Sequence, residues 1–484
     1  MKKPSLLILL ITGLVIVTMA QIPYNQRYIT PVFDEINITT NVVYGNAPAI
    51  NYPYLDENNT SPQDLLMDIY QPVGDILNIR PALVCAHSGA FISGSKEAED
   101  MVAFCDSMAH MGYVTASIDY RMGMNIFSPS SSTRAVYRGI QDGRAAIRYL
   151  KENAVNYGID TNNIYLLGSS AGAYIGQHNY YMDTEDERPS ETYLSPDLGC
   201  LDCAGNDFEH SGKANGLVAL WGALMDTNLI ISTDNLPVFL LHGTADATVP
   251  FGYGSAFGNS NFPATYGSSL VAQQLEDFGN DALTYFVPGA GHEFYGTSNG
   301  NWSGNPNAYW DTVFQMTQSF TYNIHKPTAG FLIEGDGLYE FYDESTGTLN
   351  WYWDFGDETY STEQNPVHEY ADYGFYKVTQ YVQNTLDSWD TTSLYIDFFL
   401  DISENINTSF VMYPNPASDY ITFKNTDNKI LNINLMNISS QLLKEFDLQL
   451  SEEYRLPVHN YPKGLYYVRV DNGKTILIEK IIIN

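Results

Sequence analysis

The chain has 484 residues and carries 56 Asp and Glu against 23 Lys and Arg, a formal net charge of -33. Such a charge repels phosphate backbones and anionic lipid surfaces, which excludes nucleic acid as a partner. The length corresponds to roughly three domains, and four cysteines are too few to define a disulfide scaffold in a chain of this size.

The first 20 residues have the composition of a cleaved signal peptide. Lys2 and Lys3 precede an apolar run at 6–17, and small residues lead up to Ala20. We therefore expect the mature protein to be exported. A membrane-spanning helix needs about 18 or more apolar residues, and no other run approaches that length, so no membrane span is expected.

From about residue 36 to residue 325, β-branched runs alternate with helical periodicity, which is typical of parallel βαβ units and predicts a domain of residues 21–326. Several runs are continuously apolar, as strands covered on both faces are. The predicted fold is α/β, with a mostly parallel sheet and helices on both faces. Strands are predicted at 65–70, 82–86, 113–118, 163–167, 217–220, 238–241 and 283–287, and helices at 96–110, 134–157, 174–182, 268–278 and 308–325.

Residues 183–213 fit neither periodicity and are rich in Asp and Glu. They fall between two predicted strands, so we interpret them as an insertion over the sheet's edge and a candidate lid. Cys200 and Cys203 in this segment could form a local disulfide or half of a metal site. No second ligand pair stands at typical spacing, and we expect neither a metal nor a cofactor.

Residues 327–400 lose the helical periodicity and alternate aromatic with polar residues. The motifs WDFGD at 353–357 and NPVHEY at 365–370, the latter followed by YGFYKV at 373–378, resemble the PKD family of immunoglobulin-like domains. The resemblance implies a β-sandwich. Glu358 stands where the family usually has Gly, which alters a turn without affecting the core.

Residues 409–484 contain YPNPA at 413–417 and KGLYYV at 463–468, and they end in an Ile-rich strand. They resemble the C-terminal sorting domain of the type IX secretion system. The resemblance implies a second β-sandwich, passage across the outer membrane by that machinery, and release or attachment at the cell surface. The alternative is a terminal β-sandwich without this role.

The pentapeptide GSSAG at 168–172 fits G-x-S-x-G and stands between a predicted strand and a predicted helix. A nucleophile at such a turn is exposed above the sheet, and the flanking glycines avoid clashes with neighbouring segments. Ser170 is therefore the candidate nucleophile, and the amide of Ala171 is a candidate oxyanion donor. A second match at 296–300 has no strand before it and is discarded.

The loop HSGAF at 87–91 follows the predicted strand 82–86. It resembles the His-Gly-Gly-Gly loop of esterases, with Ser88 and Ala90 in place of glycines. We favour the amides of Gly89 and Ala90 as the other oxyanion donors, and we expect His87 to brace the loop. The alternative is an ordinary strand-to-helix turn.

Ser170 needs a base and a carboxylate, which follow it in the order acid, then His, in this type of fold. Asp246 follows the strand 238–241, and His292 follows the strand 283–287. Both loops should leave the same edge of the sheet as Ser170. Asp226 is the alternative acid, and we expect His242 to hold the acid loop through a backbone hydrogen bond.

Together these residues resemble the esterase and lipase branch of the α/β-hydrolase superfamily. The resemblance implies attack of Ser170 on an ester carbonyl and an acyl-enzyme that water cleaves. The substrate we expect is an acetyl or feruloyl ester on polysaccharide. A serine peptidase and a surface adhesin with an inert hydrolase domain are the alternatives. Tyr180, Tyr181 and Trp221 are either a sugar platform or part of the core.

Overall fold

The structure is a computed structural model that describes residues 22–372, 374–398, 410–425, 431–437, 442–449, 453–471 and 476–484. The predicted signal peptide, residues 1–20, lies outside the described residues. One large sheet with helices occupies the first part of the chain, and smaller antiparallel sheets follow it.

The large sheet has eight strands in the order β1-β2-β4-β3-β5-β6-β7-β8. They are β1 (Ile36–Ile50), β2 (Thr60–Pro72), β3 (Arg80–Ala86), β4 (Val114–Ile118), β5 (Ile159–Ser169), β6 (Gly216–Leu220), β7 (Val238–Gly243) and β8 (Leu283–Val287). β1 and β2 pair antiparallel, as do β2 and β4, whereas β3 to β8 run parallel. β3, β4, β6 and β7 are buried along their whole length, which explains their apolar sequences.

Helices cover both faces of this sheet. The five long ones are α1 (Glu99–His110), α2 (Pro129–Glu152), α3 (Ala171–Tyr181), α4 (Ser268–Asp277) and α5 (Ala308–His325). α2, α3 and α4 pack into one apolar core, which contains Ile147 and Ile175, and α1 and α5 pack into the other, which contains Phe104 and Phe320. The predicted α/β class with helices on both faces is confirmed.

The elements differ from the prediction mainly at the edges of the sheet. β1 is not predicted, because it is largely exposed in its first half and two register shifts interrupt its pairing with β2. The predicted helix at 134–157 is divided at Asn153 into α2 and a short helix, Ala154–Tyr157. α2 also begins earlier than predicted, because Ser128 caps it and Pro129 occupies its first position.

Residues 183–213 lie against α2 and reach the edge strand β1 through a backbone bridge. Arg148 of α2 pairs with Asp202 of this segment at 2.8 Å, and Arg134 of α2 donates hydrogen bonds to three of its carbonyl oxygens. Cys200 and Cys203 are joined by a disulfide. Buried arginines therefore fasten the segment to a helix.

Two groups of antiparallel sheets follow the helices. The first contains Phe331–Asp336, Leu338–Asp343 and Val367–Glu369 in one sheet, and Asn350–Asp354, Tyr360–Ser361, Gly374–Gln383 and Trp389–Phe398 in the other. The second contains Phe410–Tyr413, Tyr420–Asn425 and Glu453–Pro457 in one sheet, and Leu431–Asn437, Leu442–Leu448, Gly464–Asp471 and Ile476–Ile483 in the other. Each group has its own apolar core, around Trp353 and around Ile433 respectively. These paired sheets fit the predicted β-sandwiches.

Glu358, the departure from the PKD pattern, has a φ of 68°. This left-handed conformation is one that glycine adopts without strain and a side chain does not. Glu358 therefore strains the backbone of the loop after Asp354, where the sequence predicts an altered turn.

The loop at 384–389 docks on the helical part of the chain. Tyr28 donates to the carbonyl oxygen of Leu386 at 2.9 Å, and His325 Nδ1 lies 2.8 Å from Ser388 Oγ. Nε2 of the same histidine lies 2.9 Å from the hydroxyl of Tyr113, which immediately precedes β4. Because β4 is parallel to β5, this contact is at the edge of the sheet opposite Ser170. The first β-sandwich is thus fixed on the α/β domain, away from the edge at which Ser170 lies.

Acidification should weaken this contact. Burial lowers the pKa of His325 to about 3, whereas an unfolded histidine titrates near 6.5. A depressed histidine pKa contributes stability at neutral pH that is lost as the pH falls below about 6.5. Between pH 7 and pH 4 we expect the wild type to lose about 3 kcal/mol more than His325→Gln, measured by urea unfolding. The exposed His459 replaced by Gln is the control, and equal losses in all three proteins would refute the prediction.

Candidate active site

The turn between β5 and α3 holds Ser170 in an unusual backbone conformation. Its φ is 52° and its ψ is -111°, a combination that residues in regular helices and strands do not adopt. A Cβ on Gly168 would lie 2.1 Å from the carbonyl oxygen of Gly172, and one on Gly172 would lie 2.0 Å from that of Ala86. Both glycines of the pentapeptide are therefore required by close backbone approach.

Gly172→Ala tests this turn. Since the added methyl group would meet a backbone carbonyl of β3, α3 would have to shift, and we expect a loss of stability of about 3 kcal/mol or more. Gly252→Ala is a matched control, because no atom lies within 4 Å of its added Cβ. Thermal unfolding of both variants measures the difference, and equal melting temperatures would refute the prediction.

Three side chains from distant parts of the chain meet at the carboxyl edge of the sheet. The hydroxyl of Ser170 lies 2.9 Å from His292 Nε2, and His292 Nδ1 lies 2.6 Å from Asp246 Oδ2. Ser170 follows β5, Asp246 follows β7 and His292 follows β8. The structure therefore brings the candidate nucleophile, base and acid into one hydrogen-bonded chain.

The carboxylate of Asp246 is completely buried and held by several donors. Oδ1 accepts from the amides of Thr248 and Val249, at 2.8 and 3.0 Å. Burial alone would raise the pKa of Asp246, but hydrogen bonds from His242 and His292 and their charges hold it well below its usual value. The acid thus remains ionised at neutral pH.

His242 occupies the position predicted for it. Nε2 donates to the carbonyl oxygen of Val249 at 3.1 Å and lies 3.3 Å from Asp246 Oδ2, while Nδ1 lies 2.9 Å from the hydroxyl of Ser268. The alternative acid, Asp226, is exposed and caps a short turn through the amide of Asn228. The structure joins His292 to Asp246, not to Asp226.

The loop after β3 lies beside Ser170. Ala90 and Ala171 both line the cavity at Ser170, and in the described part of the chain neither amide donates a backbone hydrogen bond to another residue. Gly89 is not part of the cavity lining, and its φ of 121° and its close contact with Ser93 fit only glycine. Ala90 and Ala171 are thus placed to donate to a developing oxyanion.

His87 lies directly behind this loop. Its Nδ1 is 2.5 Å from the carbonyl oxygen of Ser88, and its ring stacks on Tyr120 at 4.3 Å. Burial lowers the pKa of His87 to about 4, so the ring is neutral near pH 7. These contacts match the bracing role predicted from the sequence.

The cavity beside Ser170 is apolar. Its volume is about 580 Å³ together with the solvent at its mouth, and its lining contains no charged side chain of the described residues. The rings of Phe91, Tyr174, Phe257 and Phe262 contribute to the wall. One side comes from residues 248–265, and no residue of the candidate lid at 183–213 takes part.

Other predicted features lie away from the cavity. Tyr180, Tyr181 and Trp221 are at most 2 % exposed and belong to the cores, so they are not available as a sugar platform. Among the described residues, no group of three or more His, Cys, Asp or Glu could hold a metal ion. In the same part of the chain, no helix combines the length and apolarity that a membrane crossing requires.

Comparisons with known proteins match three segments. Residues 67–196 match the BD-FAE family, residues 339–396 match the PKD domain, and residues 411–484 match the secretion system C-terminal sorting domain. The latter two confirm the resemblances read from the motifs. A sorting domain of this kind indicates export and placement outside the cell or at its surface.

Curated relatives are similar over shorter stretches. Gut esterase 1 of Caenorhabditis briggsae is 36% identical over 94 residues, which are 19% of this chain and 17% of that protein. Human carboxylesterase 3 is 31% identical over 113 residues, or 23% of this chain and 19% of that protein. The chain thus spans less than a fifth of the length of these relatives.

Among solved structures, an esterase from Thermogutta terrifontis with bound butyrate is similar to part of this chain. It is 21% identical, has a TM-score of 0.41, and the match covers 59% of this chain and 94% of that one. In chain order, the segments that match family models are thus a BD-FAE segment, a PKD segment and a C-terminal sorting segment of the secretion system.

Proposed function

We propose that the protein is a secreted serine carboxylesterase. The observation that carries the proposal is the hydrogen-bonded chain from Ser170 through His292 to the ionised Asp246, at the edge of an apolar cavity. The esterase-type family match and the esterase names of the relatives support the same class of reaction. The proposed limits of the domains are 21–326, 327–400 and 409–484.

The proposed reaction begins when Ser170 Oγ attacks the ester carbonyl carbon and its proton passes to His292 Nε2. Asp246 holds the ring and stabilises its charged form. The carbonyl oxygen becomes an oxyanion, for which the amides of Ala171, Ala90 and Gly89 are the proposed donors. His292 then protonates the departing alcohol, and water cleaves the acyl-enzyme by the same steps in reverse order.

The substrate we propose is an acetyl or feruloyl ester on polysaccharide. An uncharged acyl group suits the cavity, because no charged side chain lines it among the described residues. A peptidase that recognises a peptide terminus would need a charged partner there, which disfavours that alternative. Passage through the type IX machinery would bring the enzyme to polymers outside the cell.

The test is hydrolysis by the purified protein of p-nitrophenyl acetate, acetylated xylan, methyl ferulate and aminoacyl anilides. We expect turnover of the esters. Turnover of the anilides but not of the esters would replace the esterase by a peptidase. Absence of turnover on every substrate would favour the adhesin.

Two exposed aromatic rings, on contacting segments of which one borders the cavity, offer a surface for a polymer. Tyr52 is 83 % and Phe127 72 % exposed. Phe127 lies in the short segment between Met124 and Ser132, which both line the cavity. The loop of Tyr52 is tied to α2 through Glu57, which pairs with Arg134 and Arg138 at 2.9 Å. Rings held in this way can stack on sugars.

Replacing both Tyr52 and Phe127 by Ala should therefore affect polymeric substrates selectively. We expect kcat/KM for acetylated xylan to fall roughly 30-fold, since the two ring contacts contribute about 1 kcal/mol each, with p-nitrophenyl acetate unaffected. Ile76→Ala with Val155→Ala is the control, because these side chains are at least as exposed. An equal loss on both substrates, or none on xylan, would contradict this prediction.

A further inference from the structure

A buried polar cluster that the proposed reaction does not use lies behind Ser170 and His292. It consists of Asp100 in the first turn of α1, and Glu293 and Tyr295 just after His292. Asp100 and Tyr295 are 0 % exposed, and Glu293 is 5 % exposed. We call these three residues the Asp100 cluster. Carboxyl groups are seldom buried so completely unless they are paired with a cation or hydrogen-bonded.

The cluster fastens the loop of His292 to α1. Tyr295 donates to Asp100 Oδ2 at 2.8 Å, and the amide of Asp100 donates to the carbonyl oxygen of Gly300 at 3.0 Å. The amide of Gly300 in turn donates to Glu293 Oε2 at 3.3 Å. Glu293 has a φ of 47°, a strained conformation for a side-chain residue that its surroundings must maintain. The contacts therefore hold the backbone immediately after His292.

The same cluster reaches the other two loops of the site. The ring of Tyr295 packs on Trp221 at 4.7 Å, and Trp221 Nε1 donates to the hydroxyl of Ser169 at 3.0 Å. Ser169 directly precedes the candidate nucleophile. A Cβ added to Gly300 would lie 3.3 Å from Ser88 Oγ, so Gly300 is close to the oxyanion loop. Residues of one buried network thus lie next to the turn of Ser170, the loop of His292 and the oxyanion loop.

The charge of Asp100 depends on pH in the neutral range. Burial, with a further contribution from Glu293, raises the pKa of Asp100 to about 7, although the hydrogen bond from Tyr295 acts in the opposite direction. The thiol of Cys85 on β3 is the other titratable group that interacts with this carboxyl. Above pH 7 the cluster therefore contains a buried charge next to a second acid.

We propose that Asp100 is a positioning residue that sets the geometry of Ser170, His292 and the oxyanion loop. This inference rests on the proposed esterase function. A hydrogen-bonding side chain at this position would keep Tyr295 and the loop of His292 in place. Its loss, or the repulsion between its ionised carboxylate and Glu293, would displace His292 from the hydroxyl of Ser170, and a displacement of about 1 Å can cost up to 10²-fold in rate.

The experiment compares Asp100→Ala and Asp100→Asn with the wild type, using kcat and KM for p-nitrophenyl acetate from pH 5 to pH 9. Asp106→Ala, on a half-exposed position of the same helix, is the control. For Asp100→Ala we expect kcat to fall roughly 10- to 100-fold at an unchanged KM. For Asp100→Asn, which stays neutral and can still accept from Tyr295, we expect kcat within a few-fold at pH 6.

A second readout separates positioning from a merely structural role. The ratio of wild-type kcat to that of Asp100→Asn should fall as the pH rises through about 7, because only the wild type ionises at this position. A constant ratio, or full activity of Asp100→Ala, would overturn the inference. If Asp100→Ala does not fold, the Asn variant and Tyr295→Phe still decide the matter, the latter by a reduced kcat at an unchanged KM. Failure of the wild type on the ester would instead refute the proposed function.

Discussion

Ser170→Ala is expected to reduce kcat for p-nitrophenyl acetate by roughly 10⁵- to 10⁶-fold, which is the loss seen when a serine hydrolase loses its nucleophile. The physical reason is that the variant has no hydroxyl to form the acyl-enzyme, so His292 has no proton to accept from position 170. Residual turnover would come from binding and the oxyanion donors alone. The fold should be unaffected, because the hydroxyl contacts only His292 in the hydrogen bonds of the described residues.

The sequence supplies a matched control for this variant. Ser298 is the central residue of the second G-x-S-x-G match, but it is exposed. It lies in a short hairpin that is formed by Thr297–Ser298 and Asn301–Trp302. Ser298→Ala should retain wild-type kcat. If Ser170→Ala kept more than a tenth of the activity, or if Ser298→Ala lost as much, Ser170 would not be the nucleophile.

Asp246→Asn has the second largest expected effect, a loss of roughly 10⁴-fold in kcat with little change in KM. The carboxylate of Asp246 accepts from His292 Nδ1, which leaves Nε2 free to accept the proton of Ser170. A neutral amide does not stabilise the charged imidazole, and its NH₂ group favours the wrong tautomer. The variant also lacks the negative charge that His242 and His292 stabilise in the wild type.

Asp226→Asn is the control for the acid. Asp226 is the other acidic residue that the sequence allows for this role, and it is exposed at the cap of a short turn. We expect its replacement to leave kcat within twofold. A larger loss in Asp226→Asn than in Asp246→Asn, measured on the same ester, would mean that the acid changes between the free protein and the reacting complex.

The order of motifs predicts much of the fold and of the candidate site. Parallel strands that are buried on both faces must be apolar throughout, so β3, β4, β6 and β7 are visible in the sequence. A loop that follows a parallel strand must emerge at the carboxyl edge. For this reason Ser170, Asp246 and His292 can be expected near one another without any knowledge of the coordinates.

Edge strands and caps are harder to predict. β1 is the edge strand of the sheet and is exposed over much of its first half, so its sequence lacks the apolar signal of the central strands. The candidate lid at 183–213 is predicted from its lack of periodicity, its acidic composition and its place between two strands, whereas one side of the cavity is built by residues 248–265. Composition does not reveal which of two irregular segments lies over a site, because the arginines that fasten the first one belong to a distant helix.

The local sequence specifies the strand-to-helix turn of Ser170, the chain order of the three reacting residues, the β-rich character of the C-terminal domains and the motifs for export. These features depend on neighbours in the chain or on the direction of single strands. Tertiary structure alone joins His292 to Asp246 and not to Asp226, joins His325 to the loop at 384–389, and buries Asp100 beside Glu293 and Tyr295. Each of these depends on distances between segments far apart in the chain, and such distances are set by packing, which no local pattern records.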